Sequence, residues 1–241
     1  MEKLSADPLL FSREINISQP EKGYRFSMDP FILAAHIQPK GFQKIIDIGC
    51  GCGIITLILA ARHPGIKIKG VEIQNELARF ARENVMNNGL KNAIHIMHEN
   101  IKNIDVSDIN GKADIIVSNP PYKKKDTGRL NPNSQKAIAR HEIFLDIDLL
   151  FLCSKKLLNS KGRLYIIFPA QRLSDLVLTM ERYKFIPDFI RFVHIKKNTA
   201  ARRVILCATK NHGKPCTIDP PFYVYGSDNK FTDEYTSLFK P

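Results

Sequence analysis

The chain has 241 residues, 44% of them hydrophobic, and sets 36 Lys and Arg against 24 Asp and Glu for a formal charge of +12. That length suits one globular domain with a sizeable core and short appendages, and the longest apolar runs, Ile54–Ala61 and Asp148–Cys153, fall far short of a membrane span. The positive excess fits a protein that meets polyanions, but a basic solvated surface gives the same number, so the placement of the cations has to decide.

Residues 1–22 are polar and unperiodic, with Ile15-Asn16-Ile17 as the one strand-like beat, and read as a mobile or edge segment. The start, Met1 to Asp7, lacks the apolar stretch of a secretion signal. Asp29-Pro30 places Asp at an N-cap and Pro at the first helical position, with Phe31, Leu33, Ala34, Ala35 and Ile37 as the apolar face. From residue 44 the pattern alternates. Strand candidates are Lys44–Ile48, Ile66–Glu72, Ala93–Met97, Ala113–Ser118 and Arg163–Phe168; helix candidates are Ile54–Arg62, Asn75–Asn88, Glu142–Asn159 and Ala170–Tyr183. Short Ile/Val runs separated by amphipathic helices predict an α/β fold, a mostly parallel sheet with helices on both faces. Phe185–Ile195 and Arg203–Thr209 follow with no helix between them and predict a closing antiparallel pair. Residues 211–241, with Pro220-Pro221, read as an extended tail laid on the body. The expected organisation is therefore an N-terminal segment and helix (1–43) covering a site, the main domain (44–210) and the tail (211–241). Five cysteines, Cys50, Cys52, Cys153, Cys207 and Cys216, are odd in number and scattered, which points to a reducing, cytoplasmic location. Cys50-Gly51-Cys52 is too tightly spaced for a zinc pair and has no second Cys/His pair at finger spacing, so no metal is expected.

Asp47-Ile48-Gly49-Cys50-Gly51-Cys52-Gly53 follows the first strand and opens the helix at Ile54. Glycines at alternate positions permit positive φ and let a ligand press on the backbone. The spacing is G-x-G-x-G rather than that of a dinucleotide loop, and Asp47 would repel a pyrophosphate while suiting a cationic or ammonium-bearing ligand. Glu72, followed by Ile73, ends the second strand where a carboxylate takes ribose hydroxyls. Asn119-Pro120-Pro121-Tyr122 closes the apolar run Ala113–Ser118. Two prolines fix φ and remove two donors, so the Pro120 carbonyl faces outward beside the Asn119 amide and the Tyr122 ring. Two acceptors and a stacking face are what a planar group bearing an exocyclic NH₂ requires. Singly, each of these reads equally as a strand-end residue or a plain turn; together and in this order they do not.

With these residues in place, the chain resembles class I S-adenosylmethionine-dependent methyltransferases, specifically the Asn-Pro-Pro-Tyr group acting on planar amines, over about residues 23–210. The resemblance implies a seven-stranded, mostly parallel Rossmann-like sheet and S-adenosylmethionine as cofactor. It assigns Asp47, Gly49, Gly51 and Gly53 to the donor loop, Glu72 and Ile73 to the ribose, and Asn100 and Ile101 to the adenine, where such families usually have Asp-Ile; Asn119 borders the same site. The finer resemblance is to the bacterial tRNA(Val) adenine-37 N6-methyltransferase group, carried by Gly23-Tyr24-Arg25-Phe26-Ser27-Met28-Asp29, by Asn119–Tyr122 and by Ala139-Arg140-His141-Glu142. The glutamine methyltransferases that act on release factors share the Asn-Pro-Pro-Tyr, and a carboxamide presents the same NH₂. They usually carry a longer helical N-terminal domain, for which the 46 residues before Asp47 are too few. A DNA adenine enzyme and a non-catalytic, donor-binding RNA protein are further alternatives.

The implied roles are Asn119 and Pro120 as acceptors for the amine and Tyr122 as the stacking platform, with tRNA as the partner. Lys123, Lys124, Lys125, Arg129 and Arg140 stand at the mouth of the expected pocket, with Lys136 among them and Asp126 as the one opposing acid, and are assigned to RNA phosphates. A second cluster, Lys196, Lys197, Arg202 and Arg203, reads equally as RNA contact or solvated turn. His141 reads as a helix-start residue in preference to a proton relay.

Overall fold

The strand Lys44–Ile48 (β1) buries Ile45 toward one face of the sheet and Ile46 and Ile48 toward the other, as expected of a strand covered on both sides. The same alternation runs through Ala113–Ser118 (β4), where Ile115 and Val117 face one core and Ile116 the other. The computed structural model describes residues 15–20, 27–121, 145–211, 213 and 215–238. In chain order the remaining elements are Asp29–Ala35 (α1), Ile54–Arg62 (α2), Lys67–Glu72 (β2), Asn75–Asn87 (α3), Ile94–His98 (β3), Ile147–Leu157 (α4), Leu158–Pro169 (β5), Leu173–Arg182 (α5), Phe185–Lys196 (β6), Ala201–Lys210 (β7), Thr217–Tyr225 (β8) and Asp233–Ser237 (α6).

The strands form one sheet in the order β3-β2-β1-β4-β5-β7-β6-β8. Only β7 runs against the others: it pairs antiparallel with β5 and β6, and every other pairing is parallel. One core packs α1, α2 and α3 through Leu33, Leu57, Ile58 and Ala81; the other packs α4 and α5 through Phe151, Leu150, Leu176 and Met180.

Two expectations are corrected. The sheet has eight strands rather than seven, because residues 217–225 pair with β6 instead of lying over the body. Pro220-Pro221 is compatible with this because β8 is an edge strand, and the register jumps from Arg191↔Asp219 to Val193↔Phe222, a bulge that takes up the prolines. Asp29 is not the N-cap of α1 but its first residue; Met28 holds the cap position without a side-chain bond, and the buried Asp29 carboxylate instead accepts from Arg203 Nε at 2.9 Å. That ion pair pins the start of α1 to the start of β7.

Arg191 fastens the C-terminal segment to the sheet. Its Nε donates to the Pro220 carbonyl at 2.8 Å, its guanidinium pairs with Glu234 and lies 5.3 Å from the Phe222 ring centre, and one nitrogen meets His36 Nε2 at 3.1 Å. Burial holds His36 below its ordinary pKa, so the neutral ring donates from Nδ1 to the Ile32 carbonyl and accepts from Arg191. Arg191→Ala is expected to destabilise the protein by about 1–3 kcal/mol and to raise hydrogen exchange in β8 before that of β1 or β4. Uniform exchange across all three strands would show that β8 does not depend on this residue.

Candidate functional site

The direction of strand succession reverses at β1, which has β2 on one side and β4 on the other, and ligands of open α/β sheets bind at the carboxyl ends of such strands. The glycine loop emerges there. Gly49, Gly51 and Gly53 have φ of 72°, 56° and 85°, a region that side chains rarely enter. The loop is held from below by Gly49 and Cys50 amides donating to the Val71 carbonyl at 2.8 and 3.2 Å. A Cβ at Gly53 would stand 3.2 Å from Thr56 Oγ1 and 3.4 Å from Ala81 Cβ, so this glycine is needed for the close packing of α2 on α3 as well as for its φ. Glu72 closes the arrangement: its carboxylate accepts from the Gly51 amide and from the Gln74 amide, each at 2.9 Å. Burial pushes Glu72 above the usual carboxylate range, and the amides of Gln74, Gly51 and Ile73 pull it back. Each oxygen keeps a lone pair for a further donor.

Asp47 is fully buried at the end of β1, and neither carboxylate oxygen has a hydrogen-bond partner among the described residues. Burial first, and the nearby Glu72 charge second, push it up to about 8; the Thr56 amide in the first turn of α2 pulls the other way without closing a bond. An orphaned buried carboxylate beside a cradle of left-handed glycines is a poor structural element and a good receptor for a donor-bearing, cationic ligand. Burial likewise pushes Cys52 up to about 12 and Cys50 well above an ordinary thiol, so both stay protonated and act as packing groups. Cys50 lies against Gly70, where a Cβ would come within 2.9 Å of its sulfur. Among the described residues no cluster of three metal-ligating side chains occurs, and no helix is long and apolar enough to cross a membrane.

At the end of β4 the buried Ser118 hydroxyl donates to the Ile48 carbonyl at 2.8 Å, locking the two strand ends together. Asn119 and Pro121 are half-buried and Pro120 buried, so the polar platform follows directly from a strand fixed to the glycine loop. Ile73 is half-buried beside Glu72, and Ile101 is buried under the short turn Ile101–Asn103. Asn100 caps that turn, its side-chain oxygen accepting from the Lys102 amide at 3.1 Å. Tyr122, Lys123, Lys124, Lys125, Arg129, Lys136, Arg140 and His141 lie outside the described residues.

Two residues that the sequence does not single out, Asn84 in the last turn of α3 and Asn88 at its C-cap, also belong here. The Asn84 amide accepts from the Ser18 amide at 2.7 Å and donates to the Ser18 carbonyl at 2.8 Å; Asn88 does the same with Asn16 at 2.9 and 2.7 Å. Asn84 also donates to the Cys52 carbonyl at 3.0 Å, so one side chain joins the N-terminal strap to the glycine loop. The visible signal is two asparagines one helical turn apart, which do not add to an apolar face.

The raised carboxyl of Asp47 sets a pH dependence. An unfolded aspartate ionises near 3.9, whereas the folded one holds its proton to about 8. Between those values the unfolded chain binds fewer protons, so rising pH costs the folded state stability. Asp47→Asn should therefore gain in Tm over the wild type, by more at about pH 8 than at about pH 5. A constant difference across that window would show the folded carboxyl to be ionised throughout.

Comparison with known proteins bears on this site. The family model described as "methyltransferase small domain" matches residues 29–182. A Pedobacter heparinus protein named tRNA1(Val) (adenine(37)-N6)-methyltransferase is 28% identical over 228 residues, covering 95% of this chain and 94% of its own. A Porphyromonas gingivalis protein of the same name is 31% identical over 199 residues, covering 80% and 77%. Among solved structures, a predicted O-methyltransferase from Agrobacterium tumefaciens superposes with a TM-score of 0.69 at 19% identity, covering 88% of this chain and 95% of that one. A geranyl diphosphate C-methyltransferase from Streptomyces coelicolor, solved with S-adenosyl-L-homocysteine, gives 0.53 at 14% identity over 75% and 74%. The structures share the fold. The chain belongs to the methyltransferase small domain family and is a class I S-adenosylmethionine-dependent methyltransferase.

Proposed function

We propose that the chain methylates the 6-amino group of an adenine in tRNA, position 37 of tRNA1(Val) by the relatives' names, as a cytosolic enzyme. The observation that carries the reading is the hydroxyl bond from Ser118 to Ile48, which ties the Asn119-Pro120-Pro121 platform to the strand that bears the glycine loop. Bound S-adenosylmethionine supplies an electrophilic methyl on a sulfonium. The protein's part is to hold the loop by Glu72, to meet the donor's amino end with Asp47, and to offer ribose contacts from Glu72 and Ile73 and adenine contacts from Asn100 and Ile101.

An aryl amine is a poor nucleophile because its lone pair is delocalised into the ring. Asn119 and the Pro120 carbonyl accept its two hydrogens, which favours the pyramidal nitrogen that attacks the methyl. The methylated nitrogen then loses its proton readily, so no strong base is required. Catalysis is mainly positioning, which can supply about 7–11 kcal/mol, and stacking on Tyr122 adds about 1–3 kcal/mol. A stacked base cannot reach such a platform, so the target is an unstacked loop nucleotide.

A polyanionic partner is supported by cations outside the Lys123–Arg140 stretch. The β6–β7 turn emerges at the same carboxyl edge as Asn119, two to three strand spacings away, or roughly 10–14 Å. Arg203 is committed to Asp29, and Lys196 to the Asn229 side chain. Lys197 and Arg202 are exposed and pair with no carboxylate among the described residues, which favours phosphate contact over a self-neutralised turn.

Asn119→Ala should lower turnover by on the order of 10²–10³-fold while donor affinity stays close to wild type; a large loss of donor binding would assign Asn119 to the donor site alone. Lys197→Ala with Arg202→Ala should weaken tRNA binding and reduce the salt slope by roughly 0.7–0.9 for each phosphate no longer neutralised. An unchanged slope would remove the turn from the footprint.

A further inference from the structure

The strap at residues 15–20 crosses α3 in a register that the backbone geometry dictates. Four residues of helix rise about 6 Å and two residues of extended chain about 6.6 Å, so asparagines at 84 and 88 meet alternate strap residues, Ser18 and Asn16. As the strap number rises the helix number falls. The chain therefore travels toward the first turn of α3, which follows Glu72 at the carboxyl edge of the sheet. Side chains of extended chain alternate, and Ile15 and Ile17 pack on the core beneath α2 and α3. The next residue on that face, one step nearer the donor site, is Gln19.

A third apolar residue would continue the stripe. Instead the Gln19 side-chain oxygen is buried and has no hydrogen-bond partner among the described residues. Its neighbour Pro20 is buried, and Ser18 is tied through Asn84 to the Cys52 carbonyl of the glycine loop. A buried acceptor without a donor is a cost that a folded chain ordinarily avoids by pairing it or replacing it. Here it sits on a segment fixed to α3 and its C-cap by four bonds from two side chains, and that fixation is what keeps it from turning to solvent.

We infer that Gln19 is a donor-site residue: its side-chain oxygen accepts a polar hydrogen, N–H or O–H, from bound S-adenosylmethionine, and the strap is a wall of the site positioned by Asn84 and Asn88. The inference rests on the cofactor and on the glycine loop as its site, and is independent of which base or protein is methylated. It extends the site to a segment upstream of residue 29, where the match to the family model begins.

Gln19→Met keeps the length of the side chain and removes the acceptor. Titration calorimetry of the full chain with S-adenosylmethionine should show affinity reduced about tenfold or more, while the Tm of the free protein is unchanged or raised, since the unpaired acceptor is gone. That opposition of sign separates a ligand contact from a packing role. Unchanged affinity overturns the inference, as does a fall in Tm accompanying the fall in affinity; if the Met variant does not fold, Gln19→Leu is read by the same two measurements. Titration with 5′-methylthioadenosine, which lacks the amino-acid end, assigns the hydrogen: an affinity loss confined to S-adenosylmethionine marks the ammonium group, and an equal loss with both marks the nucleoside. Glu72→Gln is measured alongside. If it weakens binding and Gln19→Met does not, Gln19 alone is wrong; if neither does, the glycine loop is not the donor site and both readings fall.

Discussion

The parallel pairing of β1 with β2 on one side and β4 on the other is the constraint from which the site follows. A strand hydrogen-bonded along both edges cannot shift register without breaking two ladders, so its carboxyl end is firmly placed. The glycine loop hangs from that end by bonds to Val71 of β2, and Asn119 is placed by the Ser118 bond to Ile48. The donor side and the platform are thus both referred to one strand, and their separation is fixed by strand spacing rather than by loop conformation.

Several groups at this edge are poor choices for stability. Asp47 is buried without a partner among the described residues, Glu72 is buried beside it, and Gln19 presents an unpaired acceptor. Elsewhere among the described residues the Ser154 hydroxyl is the one other buried side-chain group without a partner, while Asn84 uses both ends of its amide and the buried Asp29 is paired with Arg203. Asp47 and Gln19 are groups that a ligand carrying a positive charge and several polar hydrogens would satisfy. Stability forgone at this edge is recovered as affinity, the usual relation between a binding site and the fold that carries it.

What the sequence disclosed and what it hid divide along physical lines. Lys44–Ile48, Ala113–Ser118 and Ile54–Arg62 have the limits that their apolar runs indicate, because both faces of the sheet are covered and burial sets the pattern. The helix read from Glu142 is described from Ile147, where Asp146 caps it by accepting from the Leu149 amide at 2.7 Å. β5 starts at Leu158, five residues before the hydrophobic run, since Asn159, Ser160 and Lys161 extend it without being buried. β8 was hidden by its prolines, which exclude a central strand but not an edge. Asp47 and the glycines of the loop after β1 were legible as a cluster because their spacing is local. The strap was not, because it is held by side-chain amides 66 and 72 residues away and leaves no periodic trace.

Asn84 and Asn88 grip the strap by its peptide groups alone, each closing a pair of bonds on one residue's N–H and C=O. Such a clamp is blind to the side chains at 16 and 18: any residue but proline offers the same donor and acceptor. The information carried by this segment is therefore confined to its other face, to Ile15, Ile17 and Gln19. Exchanging the serine or the asparagine at the gripped positions leaves the clamp intact, whereas exchanging either of the two asparagines that hold them, 66 and 72 residues further on, removes half of it.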